Sequence, residues 1–272
     1  MKIDVVMCTK NSERLLEECL TSIYKEIPLC HLIIVDGFST DRTLEIVGRF
    51  ERDYGNTKII KTKARLGKSR EIGIKNVDTE WFAFIDSDVI LRQGWFEEII
   101  KYIQEDTAIG AVESNFVHHY PEGTPIFPEF KHVVNGKRVD SRGLTIATLI
   151  KKESVGDITI PNDLAIFEDE LIKRWVETKG LAWTKVVDPV IDHFPSPKPF
   201  EDGYLMGIYS VRHNLLPAWR IVIASLFSPL KFVYLLYKTR SFAASLNSVT
   251  LTFYMLRGLI EEVLGISSDK KS

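Results

Sequence analysis

Cysteine is scarce in this chain of 272 residues: there are three, at positions 8, 19 and 30, with no paired spacing. That excludes a disulfide scaffold and a Cys-rich zinc site. A basic excess is missing too. Lys and Arg number 35 against 37 Asp and Glu, a formal net charge of -2, which argues against a nucleic-acid footprint and leaves no nucleic-acid partner expected. No apolar run reaches the roughly 20 residues that a bilayer-spanning helix needs. The turn after the first apolar run, Thr9-Lys10-Asn11-Ser12, holds no glycine, unlike the Gly-rich phosphate loop with which nucleotidyltransferases usually open. The N-terminus, Met1-Lys2-Ile3-Asp4, reads directly into a strand, so no signal peptide is expected. What is present is ordinary for a globular protein: 45% hydrophobic and 26% charged residues, a balance unlike that of a disordered chain.

The apolar pattern predicts four strands alternating with helices in the first hundred residues. Runs at 3–7, 32–35, 57–61 and 81–85 read as strands, and 15–23, 44–50, 69–76 and 91–103 as helical. Such alternation implies a mostly parallel sheet covered on both faces, with ligands beyond the carboxyl ends of its strands. Three of the four strands end in polar clusters: Thr9-Lys10-Asn11, the stretch from Asp36 to Asp41, and Asp86-Ser87-Asp88. Further on, 109–117 reads as a strand, followed by a loop rich in Pro and His over 118–128. Segment 144–151 is apolar, 168–178 is helical, and 183–190 is a late strand. Pro195, Pro197 and Pro199 predict a stiff non-helical connector.

Paired carboxylates one residue apart at a strand end, Asp86 and Asp88, can splay so that one reaches a divalent ion and the other a sugar hydroxyl or bound water. Mg²⁺ or Mn²⁺ suits such oxygen ligands. The same pair can also be a solvated cap. Asp36 is open to two uses, accepting a hydrogen bond from a nucleobase N–H or capping the turn through Gly37; Asp41 reads as structural. Arg65, Lys68 and Arg70 around Gly67 either face phosphates or form a solvated basic loop.

Taken together and in order, these motifs resemble the inverting nucleotide-sugar glycosyltransferases of family 2. The matching residues are Ile3 through Asn11, Ile33 through Thr43, Gly67-Lys68-Ser69-Arg70, Phe84 through Asp88 with Gly94-Trp95, and Glu168-Asp169-Glu170-Leu171 with Arg174. The resemblance implies a GT-A fold, an α/β Rossmann-like sheet, with a nucleoside diphosphate sugar (UDP or GDP) as donor. It implies that Asp36, near Thr9 and Asn11, contacts the base, that Asp86 lies near ribose and phosphate, and that Asp88 binds the metal, Mn²⁺ or Mg²⁺. Asp169 is implied as the general base, and His193 as a further metal or phosphate contact. Arg65 and Lys68 join the donor site, and Lys10, Arg70, Glu168 and Arg212 stand as phosphate or acceptor contacts.

Two features depart from the family pattern. Asp36-Gly37 stands where many members have two consecutive acids, and Lys10 where many have an aromatic. The Gln-x-x-Arg-Trp motif of processive synthases is absent, so single-sugar transfer is expected. The expected organisation is a donor half (1–100), an acceptor half of the same catalytic domain (101–200) and an apolar, basic helical region (201–272). Residues 203–260 contain six Lys or Arg and no Asp or Glu. Apolar helices over 221–237 and 241–256, flanked by cations and carrying Trp219, Tyr234 and Tyr237, predict amphipathic contact with an anionic membrane at its cytoplasmic face. A homo-oligomer through the same helices is the competing use, and the tail from 261 is expected to fray. The acceptor is expected to be lipid-linked or a glycan. The alternatives are a small soluble acceptor, a polyprenyl phosphate, or a non-catalytic sugar-nucleotide binding module.

Overall fold

The computed structural model describes residues 1–119, 133–134, 137–138, 142–196, 199–240 and 242–269. These fall into two compact units. One holds 1–119, 133–162 and 168–195; the other holds 163–167 and the C-terminal stretch from Ser196. Most of the expected Pro- and His-rich loop lies outside the described residues.

The first unit alternates as the pattern requires: β1 (Ile3–Thr9), α1 (Leu16–Glu26), β2 (Leu29–Asp36), α2 (Thr43–Tyr54), β3 (Thr57–Lys61), α3 (Leu66–Lys75) and β4 (Trp81–Ile85). Then come β5 (Val89–Leu91), α4 (Trp95–Glu105), β6 (Ile109–His118), β7 (Val133–Val134), β8 (Lys137–Arg138), β9 (Ala147–Lys151), α5 (Lys152–Val155), α6 (Glu168–Thr178) and β10 (Ala182–His193). Eight strands form one sheet in the order β3-β2-β1-β4-β9-β6-β10-β5. The β1–β2, β2–β3, β1–β4 and β6–β10 pairs are parallel, and β9 and β5 run antiparallel to their neighbours. The expected mostly parallel sheet is therefore present, with two reversed strands.

Alternate residues of β1 and β2 supply each face. Ile3, Val5, Met7, Leu32 and Ile34 pack with Leu16, Leu20 and Ile23 of α1, all fully buried. Burying each such aliphatic side chain contributes roughly 1.5–3 kcal/mol. On the opposite face α3 lies so close to β1 that a Cβ on Gly73 would stand 2.3 Å from Val6 Cγ1. Only glycine allows that approach, and it seats the residues of α3 against the strand ends.

One helix prediction needs correction. Residues 89–91 pair with β10 as a strand, and the helix begins only at Trp95. The apolar triplet Val-Ile-Leu is too short for periodicity to separate strand from helix.

The C-terminal unit carries α7 (Pro199–Arg212), α8 (Ala218–Leu226), α9 (Ser228–Thr239) and α10 (Phe242–Val263). The expected non-helical connector thus ends sooner than predicted. Pro199 opens a helix, a position where its missing N–H costs nothing. The single apolar helix expected over 221–237 is broken at Phe227, and its halves are bent by 61°. No single helix among the described residues is long and apolar enough to cross a membrane, but this bent pair meets the length and composition requirement jointly.

The tail is not frayed where predicted: α10 runs to Val263, and Glu262 and Asp269 both bind Arg212. Gly207 on α7 and Gly258 on α10 allow backbone-to-backbone packing. A Cβ on Gly207 would sit 2.0 Å from the Met255 carbonyl oxygen.

Candidate active site

The carboxyl ends of β1, β2 and β4 deliver Thr9, Asp36 and Asp86 to one edge of the sheet in the first unit. Asp36 is fully buried. It accepts hydrogen bonds from Thr9 Oγ1 (3.0 Å), Ser39 Oγ (2.5 Å) and the Ser39 amide (2.9 Å). The two bonds from Ser39 close the turn that follows β2. Asn11, in the left-handed region at φ 51, joins the same knot. Its amide donates to Ser39 Oγ (2.9 Å) and its Oδ1 accepts from the Thr40 amide (2.9 Å). The Lys10 side chain lies over Gly37, where a Cβ would meet its Cδ at 3.2 Å. Asp41 is structural, as expected: it accepts from the Thr43 amide and hydroxyl at the start of α2.

The centre of the site is Arg70. Its guanidinium is buried, donating from Nη2 to Asp86 Oδ1 (2.9 Å) and from Nε to Glu168 Oε1 (3.1 Å), and it lies 4.9 Å from the Phe84 ring centroid. One arginine thus ties the strand-end carboxylate to the first acid of α6, 98 positions later in sequence. Burial pushes both carboxyls up, and the Arg70 charge opposes the rise. Asp88 adds to the rise at Asp86, and Asp169 adds to it at Glu168, whose pKa reaches about 7. Arg70 is held charged by Asp86 and Glu168 against its own burial.

Asp169 is buried beside Glu168 and accepts a forked pair from Arg142 Nη2, at 2.9 Å to Oδ1 and 3.0 Å to Oδ2. Arg142 had no local signal in the sequence, since a guanidinium partner chosen by tertiary contact leaves no spacing pattern.

Asp88 and His193 converge through strand pairing. His193 stands opposite Val89 in the β10–β5 register, which brings its Nε2 to 3.4 Å from Asp88 Oδ1. A carboxylate oxygen and an imidazole nitrogen at that separation fit a hard divalent ion, because neighbouring ligands about 2.1 Å from an octahedral Mg²⁺ stand about 3 Å apart.

The described residues offer a divalent ion a second grouping, Asp4, Cys30 and His31, near the starts of β1 and β2. There Asp4 already accepts four hydrogen bonds, from the His31 amide and Nδ1 and from the Asp78 and Thr79 amides. A saturated carboxylate suits a cap holding the strand starts together better than a metal ligand.

Three of the basic residues expected at phosphates make ion pairs within the chain. Lys68 Nζ donates to both Glu71 oxygens at 2.8 Å. Burial works to raise the Glu71 carboxyl, but its bonds from Lys68, Lys75 and the Ile160 amide outweigh this and lower it. Arg70 is committed to carboxylates. Arg212 lies in the C-terminal unit, where its guanidinium is shared among Asp163 (2.7 Å), Glu262 (2.7 Å) and Asp269 (3.0 Å). In this arrangement Lys68, Arg70 and Arg212 each pair with acids of the chain. Arg65 sits at the start of α3, with extended backbone.

Comparison with known proteins agrees with this geometry. The model of glycosyl transferase family 2 matches residues 4–155, more than half of the chain. Poly(ribitol-phosphate) beta-N-acetylglucosaminyltransferase TarS of Staphylococcus aureus is 28% identical over 189 residues, covering 63% of this chain and 31% of TarS. The crystal structure of its residues 1–349 with UDP superposes with a TM-score of 0.56 at 24% identity, over 78% of this chain and 65% of that one. The mannosyltransferase PcManGT of Pyrobaculum calidifontis, solved with GDP-Man and Mn²⁺, gives a TM-score of 0.66 at 15% identity, over 98% and 89% of the two chains. The chain spans about a third of the length of the curated relatives it matches first, 36% and 31%. The sheet order and flanking helices are those of a GT-A fold, and with the family model matched over most of that sheet, the chain belongs to glycosyl transferase family 2.

Proposed function

We propose that the chain is a metal-dependent inverting glycosyltransferase that moves one sugar from a nucleoside diphosphate sugar, UDP- or GDP-linked, to a glycan or lipid-linked acceptor. The observation that carries this reading is the Arg70 bridge. It gathers Asp86 and Glu168, with Asp88 and Asp169 as their sequence neighbours, at the strand ends where an open α/β sheet binds ligands. The UDP and GDP-Man bound in the similar structures support a sugar-nucleotide donor, and the poly(ribitol-phosphate) in the name of TarS supports a polymeric acceptor.

In this reading Thr9, Asn11 and Asp36 form the wall against the base, with Lys10 and Arg65 toward the phosphates. Asp86 orients the donor near its ribose. Asp88 and His193 would hold Mn²⁺ or Mg²⁺, which when bound supplies positive charge against the leaving diphosphate. The acceptor hydroxyl loses its proton to Asp169 as its oxygen attacks the anomeric carbon from the face opposite the diphosphate, which gives inversion. The Arg142 fork orients the Asp169 carboxylate but occupies both of its oxygens, so Arg142 must loosen its hold as the acceptor hydroxyl arrives. Glu168, raised to about 7 beside it by burial and by the Asp169 charge, is partly protonated at neutral pH, which reduces the negative charge next to the proposed base. Asp169→Asn should abolish turnover while leaving nucleotide binding intact; unchanged turnover would remove its role as base.

The C-terminal unit supports peripheral attachment to an anionic membrane at the cytoplasmic face. Around the α8–α9 bend, Trp219, Leu226, Phe227, Leu230, Val233 and Tyr237 are all more than half exposed, with Tyr237 at 87%. Arg220 and Lys231 lie among them and no acid does. An exposed apolar ridge with cations alone matches an interfacial helix pair. Flotation with anionic liposomes tests this; a stable dimer that ignores liposomes would instead assign the ridge to self-association.

A further inference from the structure

His118 closes β6 and stands directly opposite His193 in the parallel β6–β10 register. The two rings lie 4.9 Å apart, with their Nδ1 atoms separated by 3.0 Å, and Phe116 packs against the His118 ring at 4.6 Å. His193 itself is only 8% exposed.

A hydrogen bond between two Nδ1 atoms needs one N–H and one lone pair, and a neutral imidazole carries a single N–H. The two assignments therefore have opposite consequences. If His193 donates from Nδ1, its Nε2 presents a lone pair toward Asp88. If His118 donates, His193 must carry its proton on Nε2, where it meets Asp88 Oδ1 at 3.4 Å and leaves nothing for a cation.

We propose that His118 is a positioning residue that accepts the Nδ1–H of His193 and so commits the His193 Nε2 lone pair to a divalent cation shared with Asp88. This rests on reading Asp88 and His193 as the cation pair. Without an acceptor at position 118, the tautomer that binds a cation would bury an unsatisfied N–H, a cost that falls directly on cation affinity. His118 takes the complementary form, with its proton on Nε2. The register makes this arrangement hard to lose, since β6 and β10 fix both rings on neighbouring strands.

The test is Mn²⁺ binding to the full chain, read from the free-ion electron paramagnetic resonance signal, with thermal melts to verify folding. His118→Phe keeps a ring against Phe116 and removes the acceptor; its Mn²⁺ affinity should fall tenfold or more, within the roughly 10–100-fold range of lost ligand-orienting partners. His118→Asn restores an acceptor oxygen and should stay within about threefold of the wild type. His193→Phe serves as the reference for loss of the ligand. Wild-type affinity in His118→Phe alongside weakened binding in His193→Phe would overturn the inference and leave the cation pair standing. Equal weakening by both His118 variants would overturn the acceptor role. Wild-type affinity in His193→Phe would remove the cation pair itself, and the inference with it. Long-range ¹H–¹⁵N spectra of the wild type with Mg²⁺ give a mutation-free check: His193 should carry its proton on Nδ1, and a proton on Nε2 would overturn the proposal.

Discussion

Replacing Arg70 with Met should cost stability in a pH-dependent way. The side chain is 4% exposed and binds two carboxylates, Asp86 (28% exposed) and Glu168 (6% exposed). Removing one partner of a buried ion pair costs about 3–5 kcal/mol, because the other charge is left uncompensated. Most of that cost falls on Glu168, the more deeply buried acid, which lowers it by taking up a proton.

The sign follows from linkage. Folding raises Glu168 from 4.5 to about 7, so the folded state holds more protons than the unfolded one between those values, and stability falls as pH rises through them. At 1.36 kcal/mol per unit this amounts to about 3 kcal/mol in the wild type, and losing the Arg70 charge raises the carboxyl further. The gap between wild type and Arg70→Met should therefore be about 3–5 kcal/mol at pH 8 and smaller by about 1.4 kcal/mol at pH 5, because between those values only the wild type, with Glu168 at about 7, gives up the proton. Urea unfolding followed by tryptophan fluorescence reports on it, since Trp81, Trp95 and Trp183 are buried in this unit. A gap below about 1 kcal/mol at pH 8, or one that does not shrink in acid, would refute the idea that Arg70 neutralises two buried acids.

Other outcomes are expected. Asp88→Ala should lower transfer by about a hundredfold or more, the scale of a lost electrostatic group, and full activity of that variant in EDTA would disprove the metal assignment. Glu168→Gln should flatten the fall in stability between pH 5 and 7, which parallel urea titrations at both pH values would reveal. In the C-terminal unit, Gly207→Ala should cost about 1–3 kcal/mol as an overpacking substitution, because its methyl would collide with the Met255 carbonyl; thermal melting of the full chain would detect it. Leu226→Asp with Leu230→Asp should abolish liposome flotation without shifting the melting temperature, since both side chains are already exposed.

The first four strands were readable because each couples an unbroken apolar run to a polar stop, a local signal that the parallel sheet preserves. The partners of the site residues were less legible. Asp86-Ser87-Asp88 announces itself by spacing, but its engagement by Arg70 depends on α3 packing against β1 through Gly73. Lys68 and Arg70 looked alike in sequence as phosphate contacts, and only burial separates them from the solvent face of the loop. His193 was found by resemblance, whereas His118 needed the β6–β10 register; the adjacent His118-His119 pair was its only local trace. The six cations of residues 203–260 have no acid among them in sequence, yet Arg212 is ion-paired in the fold. Its acids sit just outside that window, at Asp163, Glu262 and Asp269.

The central claim is that the strand-end carboxylates bind a sugar nucleotide through a divalent ion. Calorimetric titration of UDP-, GDP- and dTDP-sugars into the wild type and Asp88→Ala, each with Mn²⁺ and with EDTA, tests it most directly. One nucleotide base should bind the wild type preferentially, at least tenfold more tightly with Mn²⁺, and Asp88→Ala should lose that metal-dependent gain, about 1.4 kcal/mol or more. Binding of no sugar nucleotide, or binding that is equal in EDTA and in Asp88→Ala, would contradict it.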